Sequence, residues 1–286
     1  MDLTDPYDVP EPRLRARMLA AAMAARAPAR TPMADPIETF RRQLERLDEV
    51  IAALPADAWP ARTAAGWDVQ GLVAHLTEVE RYFGSLLGLW DYQPPDGTEH
   101  DHRAMTEPAV ASSADQEPGA TRDAWRARRD QLLAALESAA LPDHINFHGL
   151  PMSTRAAFTT RAFEVWTHAD DIRKAHHIAL ETPRADEVAL MANTAVRSVP
   201  LGLLLSGFDR GDHAIRVVLT GPGGGTWVVP LGDRAPSEPD TVLVANAVDF
   251  CRMAAQRLDV NDLELYVEGD AAVAHDVLVG ARIFAA

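Results

Sequence analysis

Glu164 and His168 stand four residues apart in the run TRAAFTTRAFEVWTHADDIRKA. On a helix that spacing puts both side chains on one face, a single turn apart. His75 lies in a second run with helical spacing, WDVQGLVAHLTEVERYFGSLLG. Two donors one turn apart, with a third from a neighbouring helix, is how a helical bundle builds a metal site in its core. Three protein ligands leave a tetrahedral ion one open position, which marks catalysis rather than structure. Asp171 follows His168 by three residues and is placed to orient its imidazole. Taken singly, each residue has a plainer role. Glu164 and His168 make an ordinary surface pair, and His75 an interior histidine. The apolar sides that flank all three favour the combined reading.

The elements that must position these residues can be read from spacing. Asp35-Pro36 is an N-cap followed by proline at the first helical position. Phe40, Leu44, Leu47 and Ile51 then mark an amphipathic helix that stops near Pro55. Asp68 caps a second helix, with Leu72, Leu76, Val79, Phe83 and Leu86 along one side and His75 at its border. Residues 91–118 hold four prolines together with His100 and His102. They read as a long polar connection with two solvated histidines. A third helix covers 120–140 around Trp125, Leu132, Leu133 and Leu136. Gly149-Leu150-Pro151 is a breaker, and Ser153 or Thr154 caps a fourth helix that carries Glu164 and His168. Four such helices make a bundle.

The texture changes after Pro183. A helix with an interruption at Pro200 leads to two β-rich runs, HAIRVVLTG and TWVVPLG, joined by GPGGG as a hairpin. TVLVA and LELYVEG are further strands. NAVDFCRMAAQRL is a helix capped by Asn246, and DAAVAHDVLVGARIFA a last helix. The fold class expected is α+β, with an antiparallel or mixed sheet in the second part. The division expected is an extension over 1–34, a helical bundle over 35–182 and an α+β domain over 183–286. Within the extension, RLRARMLAAAMAARAPAR reads as a short helix.

Composition narrows the function. The formal net charge is −15 and no basic patch stands out, which argues against a nucleic-acid partner. No apolar run approaches the ~18 residues needed to span a bilayer, so no membrane association is expected. The acidic, proline-containing start does not fit a secretory signal. Cys251 is the one cysteine, so an intrachain disulfide is impossible. These features favour the cytoplasm as the expected location. GPGGG lacks the lysine of a phosphate loop, and no Gly-x-Ser-x-Gly elbow is present. Cys251 itself falls on an apolar helix side and is expected to be buried and inert.

Three segments resemble the mycothiol-dependent maleylpyruvate isomerase family, a branch of the DinB-like metal-binding four-helix bundles. They are the WDVQGLVAHLTEVERYFGSLLG helix, the GLPMS turn and FEVWTHADDIRKA. Trp67 and His75 match the family's tryptophan-led helix start and its histidine. Glu164, His168 and Asp171-Ile172 match its second motif. In the C-terminal part, Gln256-Arg257 stands where the family has Gly-Arg, and Gly269-Asp270 follows a strand as the family's Gly-Asp does. The resemblance implies a DinB-like bundle followed by a small α+β domain. It implies zinc or another divalent metal on His75, Glu164 and His168. It also implies Arg257 as a contact for a substrate carboxylate or for the thiol cofactor.

The chemistry that follows is a metal-held thiolate of mycothiol attacking a small electrophile. Addition followed by elimination gives a cis–trans isomerase, whereas a retained thioether gives an S-transferase. Maleylpyruvate itself is not carried over, because the extension and the 91–118 segment both depart from a minimal member. Two other classes stay open. One is a metal-dependent hydrolase with Glu78 or Glu80 as base. The other is a non-catalytic protein that binds a small molecule.

Overall fold

The computed structural model describes Leu14, Arg17, Met18, residues 31–98 and residues 100–283. Contacts divide them into a helical unit over 34–183 and a second unit formed by 184–283 with 31–33. The helix expected over 13–30 lies outside the described residues, apart from Leu14, Arg17 and Met18.

The helical unit starts with α1 (Pro36–Ala53), where the Asp35 side chain accepts from the Ile37 and Glu38 amides. Its spacing of apolar residues does what a 3.6-residue period dictates: Phe40, Leu44, Leu47 and Ile51 are all fully buried. Next comes α2 (Val69–Leu86), capped by Asp68 through the Gly71 amide. α3 (His102–Ser113) and α4 (Pro118–Leu136) follow. A hairpin of β1 (His144–Phe147) and β2 (Leu150–Ser153) then leads into α5 (Thr154–Ala175). α1 packs along α5, and α2 packs on α3 and α4. Phe40, Phe83 and Phe158 meet at centroid distances of 5.0 to 6.0 Å and join α1, α2 and α5. Each such ring contributes about 1.5–3 kcal/mol by burial, and each edge contact about 0.5–1.5 kcal/mol more. That apolar floor fixes the helices on which the polar site stands.

Two parts of this unit differ from the sequence reading. Residues 91–118 are not one polar connection, because α3 lies within them. Asp101 caps it by accepting from the Arg103 and Ala104 amides, and Met105 and Thr106 are buried. Pro108 sits inside the helix. An interior proline ordinarily costs ~3 kcal/mol, which masks the helical pattern. Gln70 of α2 compensates in part. Its Nε2 donates to the Ser113 carbonyl at 2.9 Å and to the Gln116 carbonyl at 3.0 Å, just where α3 ends. The second difference is the β1–β2 hairpin, where only a breaker was expected. Its turn residues, His148 and Gly149, have φ of 51° and 83°. Positive φ at both positions is the turn that matches strand twist.

The second unit opens with α6 (Ala185–Leu205), which runs through Pro200 without interruption. By length and composition this helix is apolar enough to cross a membrane, but 56% of the relevant window is buried inside the protein, as expected of a core helix. β3 (Ala214–Thr220), β4 (Gly225–Pro230), β5 (Thr241–Asn246) and β6 (Leu265–Glu268) form one sheet in the order β4-β3-β5-β6. β3 and β5 are parallel and the outer pairs antiparallel, so the sheet is mixed. α7 (Ala247–Ala254) is capped by Asn246, and α8 (Ala271–Gly280) by Asp270. α6 and α8 approach closely. A Cβ at Gly202 would lie 1.7 Å from the Gly280 carbonyl oxygen. The whole is an α+β protein.

Candidate metal centre

α5 carries most of its charged residues inward, with Arg155 and Lys174 left outside. Arg161, Glu164, His168, Asp170 and Asp171 are all buried on it. A charge in such a place must be paired and hydrogen-bonded, or neutralised. The pairing centres on Glu164. Its Oε1 lies 3.2 Å from His75 Nε2, 3.0 Å from His102 Nε2 and 4.0 Å from His168 Nε2. Its Oε2 accepts from Arg161, whose other arm donates to Glu80 at 2.9 Å. Arg161 and Glu80 are both fully buried.

Each imidazole around Glu164 is held at its other nitrogen. His75 Nδ1 is 2.8 Å from Thr106 Oγ1, and His168 Nδ1 is 3.1 Å from Asp171 Oδ2. His102 Nδ1 is 2.7 Å from His148 Nε2. Rings held in this way present Nε2 toward a common point, the arrangement that metal-ligating histidines need. Behind His75, the Trp67 ring lies 4.6 Å away, and the Arg103 guanidinium covers Trp67 at 4.0 Å.

Burial and pairing together decide the protonation states. It holds the His75 imidazolium down to about 3, so the ring is neutral and able to donate a lone pair. Burial alone would raise the Glu164 carboxyl, but Arg161, His102 and His75 outweigh it and hold the group well below the ordinary carboxylate value. Burial pushes Glu80 up to about 7 despite Arg161. The site thus offers an ionised carboxylate and a neutral imidazole, the forms a divalent metal requires.

Among the described residues, the donor atoms of His75, His102 and Glu164 lie within 4.8 Å of one another and form a group able to hold a metal ion. His168 stands beside it, its ring 5.4 Å from that of His75. The three residues singled out by spacing therefore meet at one place, and a fourth joins them. His102 is not a solvated loop histidine; its side chain is 17% exposed and faces Glu164. His100 remains at the surface, against Gly149. Arg161 and Glu80 also went unrecognised as a pair. Their inward position on α5 and α2 leaves no signal in residue type alone. The two carboxylates considered as bases are both engaged. Glu78 accepts from the Tyr92 hydroxyl at 2.6 Å, and Glu80 accepts from Arg161.

In the second unit, Arg257 lies beyond the end of α7, not on it. It is half-buried, and its guanidinium donates to the Ala255 carbonyl at 3.0 Å. Gln256 before it has φ of 58°, the left-handed backbone that glycine adopts without cost. The missing glycine is therefore a side-chain change on a backbone that suits glycine. Gly269 has φ of 96°, and Asp270 caps α8. Cys251 is fully buried, and burial pushes its thiol up, so it is no nucleophile.

Residues 40–173 match the model of a family described as the mycothiol maleylpyruvate isomerase N-terminal domain. Two uncharacterized proteins of Mycobacterium tuberculosis, from strains CDC 1551 / Oshkosh and ATCC 25618 / H37Rv, are each 27% identical over 254 residues. The alignment covers 83% of this chain and 92% of each relative. Among solved structures, the mycothiol-dependent maleylpyruvate isomerase and a histidine-to-alanine mutant of it share the fold. Their TM-scores are 0.56 and 0.57 at 14% and 15% identity, over 82% of this chain and 92% of theirs.

Proposed function

Because the chain belongs to the mycothiol-dependent maleylpyruvate isomerase family, we propose that it joins the thiol of mycothiol to a small electrophile. The outcome is a cis–trans isomerisation or an S-transfer in the cytoplasm, supported by a divalent metal, zinc by preference, on His75, Glu164 and His168. One observation carries this reading: the Nε2 atoms of the surrounding histidines converge on Glu164 Oε1 in the protein core.

A bound divalent metal would favour the thiolate over the thiol, since a coordinating thiol is deprotonated. The remaining work falls to the chain. Arg161 fixes the Glu164 carboxylate from behind and keeps it ionised. Thr106 and Asp171 set the rings of His75 and His168. The apolar surroundings, with Trp67 over His75, exclude water and raise the strength of each charge interaction. Arg257 offers a planar fork of donors suited to a carboxylate on the substrate or on the thiol.

The test uses the full chain loaded with zinc. Turnover of a panel of electrophiles, maleylpyruvate among them, is measured with and without mycothiol. Product forms only when the thiol is present, and Arg257→Ala raises the apparent Michaelis constant while zinc content stays level. Turnover without any thiol would overturn the mechanism in favour of hydrolysis. Full activity in Arg257→Ala would remove that residue from the site.

A further inference from the structure

Three protein donors would leave an open position, yet three histidines surround Glu164 Oε1, which makes four donors with Glu164 itself. His75, Glu164 and His168 stand on α2 and α5 and are almost fully buried. His102 differs in every respect. It is the first residue of α3, its side chain is 17% exposed, and its Nε2 lies 3.0 Å from Glu164 Oε1. Three imidazoles and a carboxylate would fill a tetrahedral ion completely, which is the arrangement of a structural site. A thiol can then enter only where a protein donor leaves.

We propose that His102 is that donor: it closes the fourth position at rest and is displaced by the incoming thiol. This inference rests on the metal reading above and adds to it a residue of this chain's own. Three observations support His102 as the one to leave. Its solvent exposure gives the thiol a route to it. Its Nδ1 is held by His148 on the β1–β2 turn, so the ring keeps a partner after it swings away. Thr106, one turn further along α3, holds His75 separately, so His75 stays in place when His102 departs. The exchange balances. The sulfur–hydrogen bond breaks, the sulfur takes the position vacated by His102, and the proton leaves to solvent. Nothing is oxidised or reduced.

X-ray absorption at the zinc edge tests this on the full chain. Zinc-loaded wild type is expected to show three imidazole nitrogens and no sulfur. Adding mycothiol replaces one nitrogen with one sulfur at constant coordination number. His102→Ala loses one imidazole before any thiol is added, and mycothiol then binds without further loss of nitrogen. Thiol binding to wild type with all nitrogens retained would overturn the proposal, and that measurement needs no variant. A nitrogen count in folded His102→Ala equal to wild type would overturn it as well. Failure of wild type to take up zinc would instead sink the metal reading and this inference with it.

Discussion

Arg161 is the residue on which the buried charges of α5 balance, and removing it should be costly. Its guanidinium joins Glu164 and Glu80, and all three side chains are buried or nearly so. In Arg161→Met the shape is roughly kept, but two carboxylates lose their common partner. Breaking a buried ion pair by removing one member costs about 3–5 kcal/mol. Glu80 already lies up near 7 and can meet the loss by taking a proton, whereas Glu164 has been held ionised chiefly by Arg161. The expected loss is therefore about 3–5 kcal/mol rather than twice that. For a unit of this size, a melting point moves ~2–4 °C per kcal/mol, so the fall is roughly 6–20 °C. Tryptophan fluorescence is a suitable probe, because Trp59, Trp67, Trp90, Trp125 and Trp166 lie in the helical unit and only Trp227 in the other. Adding Glu80→Gln to Arg161→Met should recover part of the loss, since one of the two stranded carboxylates is gone. Arg161→Lys should fall between, with the charge kept but the two-armed fork lost. A loss below ~1 kcal/mol in Arg161→Met, the range of an exposed pair, would refute the claim that these charges depend on one another.

Three further outcomes follow from the same contacts. His168→Ala should lose zinc and activity together, while Asp171→Ala, which only frees the His168 ring, should weaken metal binding within the ~10–100-fold range; equal zinc content in wild type and His168→Ala would contradict the ligand assignment. In the metal-free protein, burial holds His75 down to about 3 against an ordinary 6.5, so the unfolded chain takes up this proton first as pH falls. The stability tied to neutral His75 is thus complete above ~6.5 and is lost between that value and about 3, at up to ~1.4 kcal/mol per pH unit; denaturant melts across this window should be flatter for His75→Asn. In the second unit, Gly202→Ala would drive a Cβ to 1.7 Å from the Gly280 carbonyl, so α6 and α8 must part at a cost of about 1–3 kcal/mol, read as faster hydrogen exchange in those helices.

The sequence displayed some of these features openly and concealed others for physical reasons. α1 and α2 were legible because a capping side chain and a 3.6-residue apolar period coincide in each, and α5 because Ser153 caps a long run with no breaker in it. His75, Glu164 and His168 stood out because a metal needs those residue types, and helical spacing brings two of them together. α3 was hidden because Pro108 inside it reads as a stop, and the side chain that ties down its far end is Gln70, distant in sequence. His102 was hidden with it. A histidine next to several prolines reads as solvated until the helix beneath it is known. Arg257 shows the converse. A basic residue after a broken Gly-Arg pattern is all that spacing offers there, and only the backbone shows that Gln256 takes a left-handed φ of the kind glycine favours.

The same reasoning says which departures should matter for function. Glutamine in place of glycine at φ of 58° costs a modest strain. It changes the energy of a turn, not the chemistry available to it. His102 is different, because it adds a donor at the place where a three-ligand site would be open. A fourth donor lowers the affinity for any incoming thiol by the free energy needed to displace it. It also protects a bound metal from other thiols and from water while the site is idle. A chain with His102 should therefore hold its metal more tightly and admit thiols more selectively than one without it. When His102 is removed, metal affinity should fall while thiol affinity rises, and that opposition separates a displaceable ligand from a residue that merely packs beside the site.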